Sequence, residues 1–128
     1  MNKKIIEFNQ GKATLEVDSY AYDLRLCINV EMVDDYESFG SITIDLPDCY
    51  LRDSAEGFID NSVNSNEFDL IPKLKELGII KESYGRVNYN YGSYEYVKFD
   101  LEKLKEYDKD GVEKFIFISK EIGRDISI

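Results

Sequence analysis

SYGRVNYNYGSYEYVKFDL, residues 83–101, is the stretch on which the reading of the whole chain turns. It holds Tyr84, Tyr89, Tyr91, Tyr94 and Tyr96, five of the ten tyrosines, and two glycines punctuate it. Tyrosine suits half-buried strands, and Gly or Asn between aromatic runs marks a tight reversal. The spacing predicts a hairpin, with strands over roughly Gly85 to Asn90 and Tyr94 to Phe99 around a Tyr91-Gly92-Ser93 turn. At its exit Asp100 is placed to cap a charged helix whose Leu101, Leu104 and Tyr107 face inward.

Beyond that helix, Asp108-Lys109-Asp110-Gly111 reads as a stop. Val112 to Ile118, with Phe115 and Phe117 alternating against Ile116 and Ile118, reads as a final buried strand. Residues after about 122 are expected to fray.

Towards the N-terminus the pattern is that of strands. Lys3 to Phe8 is a short apolar run before the Asn9-Gln10-Gly11 turn signal. Ala13, Leu15 and Val17 then alternate with Thr14, Glu16 and Asp18, which is the period of a strand with one wet face. After Tyr20 to Asp23, Leu24, Leu26, Ile28, Val30 and Met32 share one face of a long strand. Val33 to Glu37 is a charged turn, and Phe39 to Leu46 alternates again until Pro47, which has no N–H to give a ladder. These four strands predict an antiparallel meander. Cys49 to Glu67 loses periodicity and reads as a long loop with one helical turn, anchored by Tyr50-Leu51 and Phe58-Ile59. A helix follows, with Asn66 as its cap, Phe68, Ile71, Leu74 and Leu77 as its apolar stripe, and Gly78 at its end; Pro72 fits only a first turn, so the regular part starts near Ile71. The expected class is α+β: a mainly antiparallel sheet, an N-terminal meander plus the tyrosine-rich hairpin, with two or three short helices in a single acidic domain over 1–128.

At 128 residues with 43% hydrophobic content, the chain can bury a core without staples. No run approaches the roughly 18 apolar residues of a membrane helix, and Glu7 interrupts the N-terminus before a signal-type core develops, so a cytoplasmic protein is expected. Cys27 and Cys49 lack CxxC spacing and read as free thiols. The net charge of −10 is concentrated. From Glu31 to Asp69 there are eleven acids against one base, Arg52, whereas the remaining acids and bases cancel. Such a region repels nucleic acid and membrane surfaces and steers towards basic proteins.

The absence of histidine removes the usual neutral-pH base, the commonest zinc ligand and every Ser-His or Cys-His pair. Alignment of Gly111 with the glycine of a calcium loop puts Phe117 where the closing glutamate must stand, so that motif fails. No phosphate-binding glycine loop occurs. Neither an enzyme nor a cofactor is expected, and no metal site. Two surfaces stay open as binding sites. One is acidic: Glu31, Asp34, Asp35, Glu37, Asp45, Asp48, Asp53, Glu56 and Asp60 could imitate nucleic acid if several strands and loops gather them, because duplex DNA carries a charge about every 1.7 Å. The other is aromatic: Tyr89, Tyr91 and Tyr96 of the hairpin, as a protein interface or as plain sheet cover.

The ordered series Asp45-Leu46-Pro47-Asp48, Gly57-Phe58-Ile59-Asp60-Asn61, Leu77-Gly78, Gly85-Arg86, Tyr94 and Phe99-Asp100-Leu101 resembles a family of uncharacterised proteins encoded on plasmids, conjugative elements and related mobile DNA of gut bacteria. Ser62-Val63-Asn64-Ser65 stands where relatives have an Asn-Cys-Pro-Trp run. The resemblance implies a genetic setting in which small acidic proteins counter host defence. It implies, with the charge, a non-enzymatic inhibitor such as an anti-CRISPR protein that binds a Cas or other nuclease and not nucleic acid itself. The alternative is an accessory interaction module of the mobile element that uses the tyrosine hairpin for partner binding or self-association.

Overall fold

The computed structural model describes residues 4–9, 11–33, 38–60 and 69–128. Its elements in chain order are β1 (Ile6–Phe8), β2 (Gly11–Ser19), β3 (Leu26–Met32), β4 (Ser38–Ser41), β5 (Thr43–Ile44), β6 (Glu56–Ile59), α1 (Leu70–Glu76), β7 (Ile80–Tyr89), β8 (Gly92–Phe99) and α2 (Leu101–Glu121). The strands form two four-stranded antiparallel sheets, in the orders β1-β2-β3-β4 and β5-β6-β8-β7. The α+β class holds, with two helices among the described residues, the second of them long. No helix among the described residues is long and apolar enough to cross a membrane.

The first sheet is the expected meander. Leu15 lies opposite Val30 and Val17 opposite Ile28, and these side chains are buried while Glu16 and Asp18 face water. Period-2 alternation therefore reads true wherever one sheet face is wet. The strand expected over Phe39 to Leu46 is instead shared between the sheets. At Ser41 its hydroxyl accepts from the Thr43 N–H at 3.2 Å, a local bond that competes with ladder pairing. Ile42 N–H then donates to the Ile28 carbonyl at 2.9 Å while Asp60 N–H donates to the Ile42 carbonyl at 3.0 Å, so this residue joins one sheet to the other.

Three expectations are corrected in the second sheet and its helices. The loop expected over Cys49 to Glu67 contains β6, whose four residues are all buried, so no polar face alternates with an apolar one to betray a strand. The hairpin turn is Asn90-Tyr91, one residue earlier than expected, because Asn90 takes a positive φ of 53° and Tyr89 pairs with Gly92. The outer end of the Tyr94 ring packs over Gly92, where a Cβ would otherwise stand. The strand expected over Val112 to Ile118 is the second half of α2. Val112, Phe115, Ile116 and Ser119 are buried at spacings of three and four, whereas Phe117 is 64% exposed.

Asp100 caps α2 by accepting from the Lys103 N–H at 3.1 Å. Midway the helix kinks at Asp108 (φ −155°, ψ 81°). The Asp108 carboxylate accepts from the Gly111 N–H at 3.2 Å, starting the helix anew, and from the Val17 N–H at 2.8 Å. Val17 lies beyond the end of β1 on β2, so Asp108 satisfies a sheet donor that β1 does not reach. Gly111 permits this approach: a Cβ there would sit 2.5 Å from the Val17 carbonyl oxygen.

Asp69 precedes α1 without a capping side-chain bond; its carboxylate accepts from the Asn9 N–H at 2.7 Å instead. Asn66, expected as the cap, and Phe68 lie outside the described residues, as do Lys3, the Asp34–Glu37 part of the charged turn and the Asn61–Ser65 run. Pro72 falls in the first turn and Gly78 (φ 79°) ends the helix, as expected. The core lies between the sheets and α2, with Leu15, Ile28, Ile59, Val97, Phe99, Leu104 and Phe115 at its centre and Leu70, Ile71 and Leu74 of α1 closing one end. The segment after about 122, expected to fray, makes specific bonds: Ser54 N–H donates to the Asp125 carbonyl at 2.8 Å, and the Ser127 N–H and hydroxyl donate to Asp53 at 3.0 and 2.9 Å. Cys27 and Cys49 are free thiols, and burial pushes the Cys27 thiol up.

Candidate functional site

The acidic residues singled out in the sequence divide into three groups. Glu31 on β3 and Asp48 in the turn after β5 are exposed, and Asp60 at the end of β6 is half-buried. Asp34, Asp35 and Glu37 lie outside the described residues, in the sequence that joins β3 to β4. Asp45, Asp53 and Glu56 are drawn into the protein.

Glu56 is 2% exposed on β6. Its carboxylate accepts from the Arg52 backbone N–H at 3.0 Å and from the Tyr96 hydroxyl, and it pairs with the Arg52 guanidinium at 3.3 Å. That guanidinium lies 4.3 Å from the Tyr84 ring centroid, and the Tyr84 and Tyr96 rings meet at 5.0 Å, with Phe58 packed 5.2 Å from Tyr96. One buried charge is thereby fully partnered by a stacked cation and a phenol, which is the condition for tolerating it. The Tyr84 hydroxyl, donating to Glu82 at 2.8 Å, is pushed up to about 12, by desolvation first and by Glu82 next. Asp53 is equally committed. Burial alone would raise its carboxyl, but the Ala55 and Ser127 N–H groups and the Ser127 hydroxyl hold it below the usual range.

Asp45 meets an acid outside the acidic window, Asp23. Burial first, and then Asp23, pushes the Asp45 carboxyl up to about 6. Asp23 also pairs with Arg25 at 3.6 Å, and Arg25 in turn donates to the carbonyls of Leu46 and Cys49, at 2.8 Å each. Tyr89 closes this corner by donating to Asp48 at 3.3 Å. Hence three carboxyl groups, Asp23, Asp45 and Asp48, gather where the β2–β3 turn meets the end of β5. Sequence reasoning missed Asp23 because it lies on the far side of β3 from the window; only the pairing of β3 with the strand after it brings the two turns together. Tyr20 pins the same turn through a 2.9 Å bond to the Thr43 carbonyl, and burial raises its phenol to about 12.

The three hairpin tyrosines also separate. Tyr91 stands in the turn wholly exposed, Tyr89 is half-buried beside Asp48, and Tyr96 belongs to the Arg52 network. Among the described residues no group of three His, Cys, Asp or Glu side chains is placed to hold a metal ion.

The charge is distributed by element. The seven lysines of α1 and α2 are matched by seven Asp and Glu residues on the same helices, and several pair along them, such as Lys105 with Glu102 at 3.2 Å. The whole net charge of −10 is therefore carried outside the helices.

Residues 14–118 match the model of a domain of unknown function, DUF4313, and the chain belongs to that family. No curated protein and no solved structure matches it.

Proposed function

We propose that this DUF4313 protein is a non-enzymatic inhibitor of a host-defence nuclease, an anti-CRISPR protein that offers an acidic surface to the basic nucleic-acid groove of a Cas nuclease in the cytoplasm. The observation that carries the reading is the charge distribution: the two helices together are neutral, and the surplus of −10 lies outside them. An acidic surplus steers encounter with a basic partner. The mobile-DNA motifs supply the setting in which such an inhibitor is selected.

The reading draws on the acids that the fold does not use. Asp53 and Glu56 hold the fold, and Asp45 is occupied by Asp23. Glu31, Asp48 and Asp60, together with Asp34, Asp35 and Glu37 of the β3–β4 connection, form the partner-binding set. The test is inhibition and pull-down of Cas nucleases by a variant with those six acids changed to Asn or Gln. Loss of binding in the variant, and weakening of the native complex at high salt, are expected. Full inhibition by the six-fold variant overturns mimicry.

A second reading has its own observation. Tyr91 is fully exposed at the hairpin tip, where its ring is available to a protein partner. In that reading the chain is an accessory interaction module of the mobile element, and Tyr91→Ala abolishes partner binding or self-association while the six-acid variant keeps it.

A further inference from the structure

Three of the four arginines, Arg25, Arg52 and Arg124, border one cleft of about 170 Å³. It opens where the start of β3, the 50–54 loop, α2 and the C-terminal tail meet, with Leu51 and the buried Phe115 among its walls. In a chain of net charge −10 this convergence of guanidinium groups runs against the general field.

Arg52 is spent elsewhere, on Glu56 and the Tyr84 ring. The other two have capacity left. Arg25 gives one N–H each to Leu46 and Cys49 and faces Asp23 through Nε, so two of its five donors remain. Arg124 has its backbone fixed by a 3.0 Å bond to the Ser119 carbonyl, while its guanidinium acts on the Asp45 carboxyl only through its charge, without a direct hydrogen bond or ion pair among the described residues. Between them Ser54 is held by its N–H bond to Asp125, and its hydroxyl is buried without a partner. A buried hydroxyl left unpaired is an uncompensated loss that an acceptor entering the cleft would relieve.

We infer that this cleft binds a monocarboxylate carrying a short apolar body, with the carboxylate between Arg124, Arg25 and the Ser54 hydroxyl and the apolar part on Leu51 and Phe115. Guanidinium forks match the planar carboxylate. A phosphate group fits less well, because Asp53 and Asp125 stand at the rim and repel a second negative charge, and because the apolar wall gives it nothing. The size also limits the guest: ligand sites for larger molecules start at roughly 300 Å³, so one residue-sized group fills this one. Such a group is either a free small acid or the C-terminal residue of a peptide.

The full chain is titrated with 4-methylpentanoate, 4-methylpentanamide, inorganic phosphate and N-acetyl-Gly-Leu with a free or amidated C-terminus, followed by amide and Arg side-chain NMR. Saturable shifts at Ser54, Phe115 and Arg124 with the acids, and none with the amides, support the site. Equal affinity for 4-methylpentanoate and the free-acid peptide assigns it to small acids, and tenfold tighter binding of the peptide assigns it to chain termini. Arg124→Gln, on an exposed residue whose loss leaves the melting temperature unchanged, is expected to weaken binding at least tenfold, and Ser54→Ala severalfold. Amide binding equal to that of the acid, phosphate binding tighter than either acid, or an unchanged affinity in Arg124→Gln overturns the proposal.

Discussion

Asp23 and Asp45 stand against each other, and each buries one carboxylate oxygen without a hydrogen bond: Asp23 Oδ2, which faces Arg25 Nε at 3.6 Å, and Asp45 Oδ1. Two ionised carboxylates so placed repel, and a single proton held by the pair removes the conflict. Asp45, at about 6, is the group that keeps it.

The sign of the pH dependence follows. The Asp45 carboxyl is raised above its ordinary value of 3.8, so the folded state binds the proton more tightly than the unfolded one. The contribution is present below about pH 4 and is lost as pH rises through about 6. With solvent screening allowed for at a partly exposed site, the loss is about 1 kcal/mol. Thermal melts should fall by roughly 3 °C between pH 5 and pH 7.5. Asp45→Asn, whose amide can donate to Asp23, should abolish that fall and melt higher at neutral pH; a fall of the same size in the variant refutes the assignment.

Gly111→Ala separates helix propensity from packing. In the middle of a helix, alanine for glycine ordinarily stabilises by about 1 kcal/mol. Here the new Cβ meets the Val17 carbonyl and the Asp108 carboxylate, both held in place by the hydrogen bond between Asp108 and the Val17 N–H. Overpacking of this kind costs about 1–3 kcal/mol, so urea denaturation should show a lower midpoint with the slope unchanged.

Tyr91 and Tyr96 should respond oppositely to alanine. Tyr96 supports Glu56, Arg52, Tyr84 and Phe58, and its removal leaves the buried carboxylate short of a donor, at a cost of about 3 kcal/mol or more. Tyr91, exposed in the turn, should change stability by less than about 0.5 kcal/mol. Equal losses for the two variants would show that the hairpin tip is packed in solution.

How much of this was legible depended on whether a residue's neighbours were near in sequence. The Leu26–Val30 alternation declares its strand because its outer face meets water. Glu56–Ile59 does not, since Ile59 enters the core on one face while Arg52 and Tyr96 cover Glu56 and Phe58 on the other. Phe115-Ile116-Phe117-Ile118 looks like a strand when each apolar residue counts equally; only burial shows that Phe117 points outward and that the faces follow a helical period. Asp108 and Gly111 look like a stop until Val17, 91 residues from Asp108, is seen beside them. The same holds for the acids. Glu56 and Asp53 read as surface charge, yet their partners Tyr96 and Ser127 lie 40 and 74 residues away. Glu31 and Asp48 are exposed, as surface charges should be, although Tyr89, 41 residues away, donates to Asp48.

Removal of the residues after Gly123 tests how far the tail belongs to the fold. Truncation strips Asp53 of both Ser127 donors and Ser54 of the Asp125 carbonyl, leaving polar groups of the 50–54 loop unpaired. A loss of about 2 kcal/mol is expected, measured by urea denaturation at pH 7. The truncation should also blunt acid sensitivity. Asp53 is held below its ordinary value in the full chain, so its contribution is present above about pH 4 and lost as pH falls through the depressed value. Without Ser127 that depression shrinks, and the gap in stability between the full and truncated chains should narrow from pH 5 to pH 2.5. A gap that stays constant over this range would mean that the tail acts through packing and not through Asp53.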